Sequence, residues 1–469
     1  MNAARFFSAL IFYRRHFAVQ RENELGTKPV GSLLWKLALP AIVAQLVNVL
    51  YNMVDRIYIG HIPEVGAAAL TGVGVTMPVI MLVSAFAALI SMGGAPRAAI
   101  MMGRGKQEEA EKILGSCTAA LVLMSLILTA AILLFGREAL LLFGASGETI
   151  GYAWEYLSAY AIGTVAVQLT LGLNAFITTQ GFSKVSMLTV LIGAICNIIL
   201  DPVFIFVFGM GVRGAALATI LSQAISAVWV VRFLLGKKTL LRIRPACLRL
   251  DPKVYLPCMA LGLSPFVMQF TESILFVSFK SSLLRYGGDL AVGSMTILTS
   301  VMQFALLPLQ GLMQGAQPII SFNYGAGSKQ RVYRIYRLAL ISCVSYSMAA
   351  WAVAMIVPQM FARLFTSDAA LIDAVRHNLR IYMGATGLFG LQIACQQTFV
   401  SMGNAKTSLF LALLRKVFLL IPLIFILPIF FANKVDAVLW AEPVSDFIAV
   451  TVTTTLSIRS MRSYMRSDI

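Results

Sequence analysis

Apolar stretches long enough to cross a bilayer recur twelve times along the chain, separated by short polar loops. A spanning helix needs about 20 mostly apolar residues. Qualifying stretches lie near 36–60, 68–94, 113–135, 152–177, 186–208 and 214–235, and again near 256–283, 290–320, 338–358, 378–401, 408–431 and 436–457. Pro and Gly punctuate several of them, which membrane helices tolerate. The pattern predicts an all-α polytopic membrane protein with twelve transmembrane helices.

Composition agrees. Of the 469 residues, 59% are hydrophobic and only 12% charged, where soluble chains carry about 25%. So few charges cannot cover a soluble surface, and a disulfide scaffold or a disordered chain is excluded by the same arithmetic. Cys117, Cys196, Cys247, Cys258, Cys343 and Cys395 form no CxxC pair, which predicts free buried thiols. Three His leave little room for a His-based metal site.

The net charge of +17 would suggest nucleic acid, but its placement does not. The N-terminal segment, the loops after even-numbered spans and the C-terminal tail hold 26 Lys and Arg, and the opposite loops hold six. By the positive-inside rule both termini are cytoplasmic. The basic excess then serves topology and contact with anionic lipids, and no nucleic-acid partner is expected. The run Phe6 to Tyr13 is short, Arg14, Arg15, Arg21 and Lys28 follow it, and no small-residue cleavage site is present. An interfacial helix is expected there, not a cleavable signal.

The chain is also a repeat. At an offset of 222 residues, Gly93-Gly94-Ala95-Pro96 falls on Gly315-Ala316-Gln317-Pro318, Gly103 and Gly105 on Gly325 and Gly327, and Gly181 and Lys184 on Gly403 and Lys406. The expected organisation is an N-terminal cytoplasmic or interfacial segment 1–35, an N-lobe 36–235, a cytoplasmic linker 236–255, a C-lobe 256–457 and a cytoplasmic tail 458–469. Six spans per half bring both halves in from the same side, so the repeats are parallel. Such halves commonly flank a central substrate cavity, which points to a transporter. A duplicated channel or membrane enzyme is the alternative.

Ionisable groups inside a membrane are costly and are functional candidates. Here they are Asp55, Glu155, Asp201, Glu272, Lys280, Arg415, Lys416, Glu442 and Asp446. Tyr51 and Asp55 share a helix face at i, i+4, as do Asn197 and Asp201, and Ala215 and Thr219. If the three faces meet, two carboxylates, an amide oxygen, a hydroxyl and a backbone carbonyl surround one point. Such hard oxygens suit Na⁺. The carboxyl pair would equally share a proton, or each could face water at a helix end. In the second half Glu272 and Lys280 are each expected either to pair with another helix or to serve the cavity, and Arg415 or Lys416 to snorkel toward the cytoplasmic surface. Pro40 either bends the first helix or sits in its first turn. Gln303, Gln310 and Gln317 form a stripe suited to a cavity wall or to helix packing. No Walker A motif, HExxH or nucleophile elbow is present, so neither ATP-driven transport within this chain nor an enzyme is expected.

The segments LALP (37–40), YNMVDRIYIGH (51–61), NIILDPVFIFVFGMGVRGAALAT (197–219), YGGDLAVGSMTI (286–297) and QGAQPIISFNYGAGSKQRV (314–332) resemble the multidrug and toxic compound extrusion (MATE) family, in its DinF-like bacterial branch. The resemblance covers nearly the whole chain after residue 30. It implies two six-helix lobes in a V around a central cavity, in the bacterial inner membrane. It implies export of a small organic compound, often an amphipathic cation, as Na⁺ or H⁺ enters, with no other cofactor and a monomeric chain. Asp55, Asn197, Asp201 and Thr219 match the family's N-lobe ion or proton site, with Ala215 beside it. Tyr51, Tyr156 and Asn174 match its polar network, and Pro40 its bending proline. Glu272, Lys280 and Arg415 join Gln303 and Gln310 as cavity candidates. Lys280 and Glu442 stand where relatives are usually neutral, which keeps a flippase or exporter of lipid-linked or anionic substrates as the alternative.

Overall fold

A computed structural model describes residues 24–467. The run Phe6 to Tyr13, expected as an interfacial helix, lies outside the described residues. Every regular element among the described residues is helical. The first six spans are α1 (Val30–Gly60), α2 (Gly66–Gly103), α3 (Gln107–Leu142), α4 (Ile150–Ile162 and Thr164–Thr179), α5 (Ser183–Val207) and α6 (Gly211–Leu235). The second six are α7 (252–287), α8 (289–325), α9 (Lys329–Ile356), α10 (Ala369–Tyr382 and Phe389–Ser401), α11 (Ala405–Phe430) and α12 (Lys434–Arg466). Gly288 separates α7 from α8 with φ 62°, a conformation glycine adopts freely. Capping fixes several starts: Asp251, Asp368, Asn404 and Asn433 each accept a backbone N–H at the head of α7, α10, α11 and α12.

The helices outrun the apolar stretches. Hydropathy reports the hydrocarbon, while α2 continues to Gly103 and α3 starts at Gln107 in the polar zone beyond it. Likewise α1 starts at Val30 and α7 at Pro252. Pro40 is therefore the eleventh residue of α1, well past its first turn, and removes an interior hydrogen bond. All six cysteines are free, four of them buried and Cys196 and Cys247 only partly so.

The two halves meet through glycine. A side chain at Gly103 would strike the carbonyl of Phe322, and one at Gly325 would strike that of Ile100. Gly325 follows Gly103 by 222 residues, and Phe322 follows Ile100 by the same 222. The two contacts are thus mates across the pseudo-two-fold axis, and the axis passes between them. Gly93 closes on the Cys258 carbonyl and Gly262 on that of Leu89, fastening α7 to α2. Gly315 and Gly311 close on the backbone of Ala38 and Ile42, fastening α8 to α1. Only hydrogen in place of Cβ lets the backbones approach this closely.

Packing follows this seam. At the end of the molecule carrying the termini, one apolar core draws on both halves, from Leu34, Leu114 and Phe176 to Cys258, Ile320 and Ala339. At the opposite end there are two separate cores, one around Val73, Leu157 and Ala216, the other around Leu298, Leu379 and Leu439. The lobes are joined at the termini and part away from them, forming a V whose cleft opens on the far side.

Polar contacts reinforce the joined end. Arg331 donates to the carbonyls of Leu25 (3.1 Å) and Lys28 (2.8 Å), and Asn323 donates to Leu25 (2.9 Å). The start of the N-lobe is thereby tied to the C-lobe. Lys28 and Lys36 pair with Glu24 and hold its carboxyl below the ordinary carboxylate range. The linker lies on the N-lobe, where Gln180 accepts from the backbone of Leu240 and Leu241 and Glu111 pairs with Arg244 at 2.6 Å.

Replacing Gly103 by Val should force the seam open. Overpacking a tight contact costs about 1–3 kcal/mol, so the closed population should fall about 5- to 150-fold relative to the open one. Spin-label distances across the termini end, between α2 and α8, check this. An unchanged distance distribution would show that the seam does not govern closure.

Candidate functional site

In the N-lobe, α1, α5, α6 and α4 converge on two acids. Asp55 and Asp201 are buried, and their carboxyl groups are near enough to interact electrostatically. Asn197, one turn before Asp201, donates to it at 3.1 Å and lies 3.5 Å from the Thr219 hydroxyl. The buried Tyr156 ring stacks on Tyr160, with its hydroxyl within reach of Thr219. Tyr51 lies half-buried one turn from Asp55. Directly after Asp201, Pro202 opens a π-helical turn, Val203–Val207, a local widening often found at functional sites.

Three acceptor oxygens here are buried without a hydrogen-bond partner: Asp55 Oδ1, Asn197 Oδ1 and Asp201 Oδ2. Buried acceptors are costly to leave unpaired, and two facing carboxylates cannot both stay ionised without compensation. With the Thr219 hydroxyl, these groups fit one small cation or a shared proton. No three His, Cys, Asp or Glu side chains gather among the described residues, so such an ion would be held by mixed oxygens.

Ala215 packs in the apolar core of the N-lobe. Asn174 donates to the Ser186 carbonyl at 3.3 Å, fifteen residues or about 22 Å along α5 from Asp201. Glu155 is exposed.

The C-lobe differs from expectation more. Arg415 and Lys416 do not snorkel. Both are buried, on a π-helical segment of α11, Leu414–Leu420. Arg415 donates to Asp446 at 2.6 Å and to Glu442 at 2.8 Å, and its guanidinium lies 4.5 Å over the Phe389 ring. Glu272 pairs with Lys416, not with Lys280. Lys416 also donates to the Met268 carbonyl at 3.1 Å. Lys280 is exposed and makes no ion pair among the described residues. Gln303 and Gln310 are exposed on α8, which in a membrane protein places them toward water rather than hydrocarbon.

Tyr382, on the bend of α10, went unnoticed in the sequence. It is buried, and its charged neighbours are Glu442, Glu272, Asp446 and Arg415. A signal was available: Tyr382 follows Tyr156 by 226 residues, near the repeat offset, and both lie on bent spans.

Comparison with known proteins agrees with this architecture. The MatE family model matches residues 40–203 and 265–426. Multidrug export protein MepA of Staphylococcus saprophyticus is 23% identical over 412 residues, covering 88% of this chain and 90% of its own length. A MATE crystal structure in the bent conformation superposes with a TM-score of 0.88 at 21% identity, over 96% of this chain and 98% of that one. A MOP superfamily transporter from Pyrococcus furiosus, whose reversed pocket polarity suggests a different function, gives 0.87 at 22%, over 95% and 98%.

Removing one partner from a buried ion cluster leaves charge uncompensated, at about 3–5 kcal/mol. Arg415→Met should therefore lower the thermal unfolding midpoint of the detergent-solubilised protein markedly. Glu272→Gln, on the exposed side of its pair, should lower it far less. Equal shifts would contradict the burial difference.

Proposed function

This chain belongs to the MatE family, and on that premise we propose that it is a secondary antiporter exporting amphipathic organic cations as Na⁺ or H⁺ enters. It is a multi-pass membrane transporter and not an enzyme. The multidrug export relatives support the substrate class. The basic loops support a bacterial cytoplasmic membrane location with both termini inside, so the cleft opens outward. One chain supplies both lobes, which supports a monomer in contact with membrane lipids.

The observation that carries the reading is the set of unpartnered buried oxygens at Asp55, Asn197 and Asp201. Asp55, Asn197, Asp201 and Thr219 would hold the ion, which supplies the positive charge the acid pair lacks. Occupancy binds α1 to α5 and α6, since Asp55 comes from α1, Asn197 and Asp201 from α5 and Thr219 from α6. Loss of the ion leaves two facing carboxylates that repel. Pro40 lies within the stretch of α1 that packs on α8, between Ala38 and Ile42, and bending of α1 there relieves the repulsion. The ion and the cationic substrate then favour different shapes of one cavity, which is the differential affinity that coupling requires.

A second reading, export or flipping of a lipid-linked or anionic substrate, is favoured by Lys280, exposed and without an ion pair among the described residues. It is weakened by Lys416, whose charge Glu272 already neutralises.

Proteoliposomes loaded with ethidium and driven by an inward Na⁺ or pH gradient separate the readings. Efflux should follow at least one gradient and fall at least about tenfold, the effect of about 1.4 kcal/mol, in Asp55→Asn and Asp201→Asn. Full ion-driven efflux by Asp201→Asn would overturn the coupling role. No efflux with either gradient, together with movement of labelled anionic lipid that Lys280→Ala abolishes, would favour the second reading.

A further inference from the structure

At the termini end the two lobes are charged differently. At the repeat offset of 222, Glu108, Glu109 and Glu111 of α3 fall on Gln330, Arg331 and Tyr333 of α9. The N-lobe pairs two of those acids with Lys106 and Arg244. The C-lobe has no equivalent. Residues 323–338, 399–408 and 457–467, which form its termini end, carry eight Lys and Arg and no acid. The next acid, Asp468, lies outside the described residues.

The fold differs at the same place. In the N-lobe the chain leaves α6 at Leu235 and turns back, so that Leu240 and Leu241 donate to Gln180, and Leu241 shares a core with Met102 and Ile177. The repeat mates of Leu240 and Leu241 are Arg462 and Ser463, on α12, which stays helical to Arg466. The mates of Met102, Ile177 and Gln180 are Tyr324, Phe399 and Met402. Where the linker packs in one lobe, the other has a cavity of about 310 Å³, lined by those three side chains with Ser460, Ser463 and Tyr464. A groove of about 530 Å³ shares Ser463 with it and is lined by Arg459, Arg462 and Arg466.

Two features of this pocket suit an anion. The three arginines stand at i, i+3 and i+7 on one face of α12. They are exposed and form no ion pair among the described residues. The Tyr464 hydroxyl is buried and has no hydrogen-bond partner among the described residues, and Lys329 Nζ lies 5.9 Å from its ring centre. A phosphate accepts from guanidinium groups through two oxygens at once and has further oxygens for a hydroxyl donor.

We propose that this pocket at the termini end of the C-lobe binds the phosphate headgroup of an anionic phospholipid. The occupant is a lipid because of the pocket's place and its walls. It lies beside the last residues of α8 and α10 and the final turns of α12, where a basic cluster following a spanning helix meets the charged membrane surface. Phe399 and Met402 give it an apolar side, from which a soluble phosphate gains nothing. The choice of leaflet rests on the orientation proposed above. The site itself depends neither on that orientation nor on the antiport reading.

The test is native mass spectrometry of the full detergent-solubilised chain with phosphatidylglycerol or phosphatidylcholine at equal concentration. Phosphatidylglycerol should bind preferentially. Its affinity should fall at least about tenfold in Arg459→Gln/Arg462→Gln/Arg466→Gln, since each basic group near an anionic lipid contributes. Arg232→Gln/Lys237→Gln/Lys238→Gln removes the same charge from the corresponding end of the N-lobe and should leave the affinity unchanged. Tyr464→Phe, which changes no charge, should weaken phosphatidylglycerol binding alone. Equal losses in the two triple variants would overturn the site in favour of diffuse attraction, and equal binding of the two lipids would overturn its preference for an anion. Displacement of phosphatidylglycerol by inorganic phosphate would assign the pocket to a soluble anion and overturn the lipid. Failure of the antiport reading would show instead as absent ion-driven efflux with lipid binding intact.

Discussion

Close approach of bare backbone at six glycines is the constraint on which the remainder of the molecule depends. Membrane helices gain little from burying apolar side chains against one another, because lipid is as apolar as they are. What holds two six-helix halves together must come from contact at short range. Gly93, Gly103, Gly262, Gly311, Gly315 and Gly325 provide it on one side of the membrane only. Everything beyond that seam is free to diverge, which is why one core is common and two are private.

The private regions are where the charges lie. Each lobe buries a carboxylate pair with a tyrosine, and each places a π-helical turn next to a charged residue. The solutions differ in kind. The N-lobe leaves three of its buried oxygens without partners among the described residues. The C-lobe places Arg415 and Lys416 permanently among its acids and is mostly self-neutralised. A duplicated scaffold has thus been loaded asymmetrically, with unpartnered oxygens in one half and an ion-paired network in the other.

Much of this was legible in the residues. The spans could be read because hydrocarbon imposes a long apolar run, and the repeat because Gly103 and Gly325 occupy equivalent places. Asp55, Asn197, Asp201 and Thr219 were legible because i, i+4 spacing reports a shared face and their motifs match a family. Helix ends were not, since a helix such as α2 continues once hydropathy has stopped reporting on it. The partners of Arg415 and Lys416 were not either: Asp446 is 31 residues away and Glu272 is 144, and periodicity within one helix carries no information about which neighbour it meets.

The Leu25 and Lys28 carbonyls accept from Arg331, across the boundary between the repeats, while Cys258 and Gly262 of α7 rest on α2. Each half therefore lends its leading helix to the other, as two folded arms interlock. The unit that was duplicated is not the unit that packs together: the root of α1 is fastened to the C-lobe although its acid belongs to the N-lobe. The chain between the halves has correspondingly little to hold. Severed at the linker, the two pieces would still clasp one another through their exchanged helices, and the covalent connection serves mainly to keep their numbers equal.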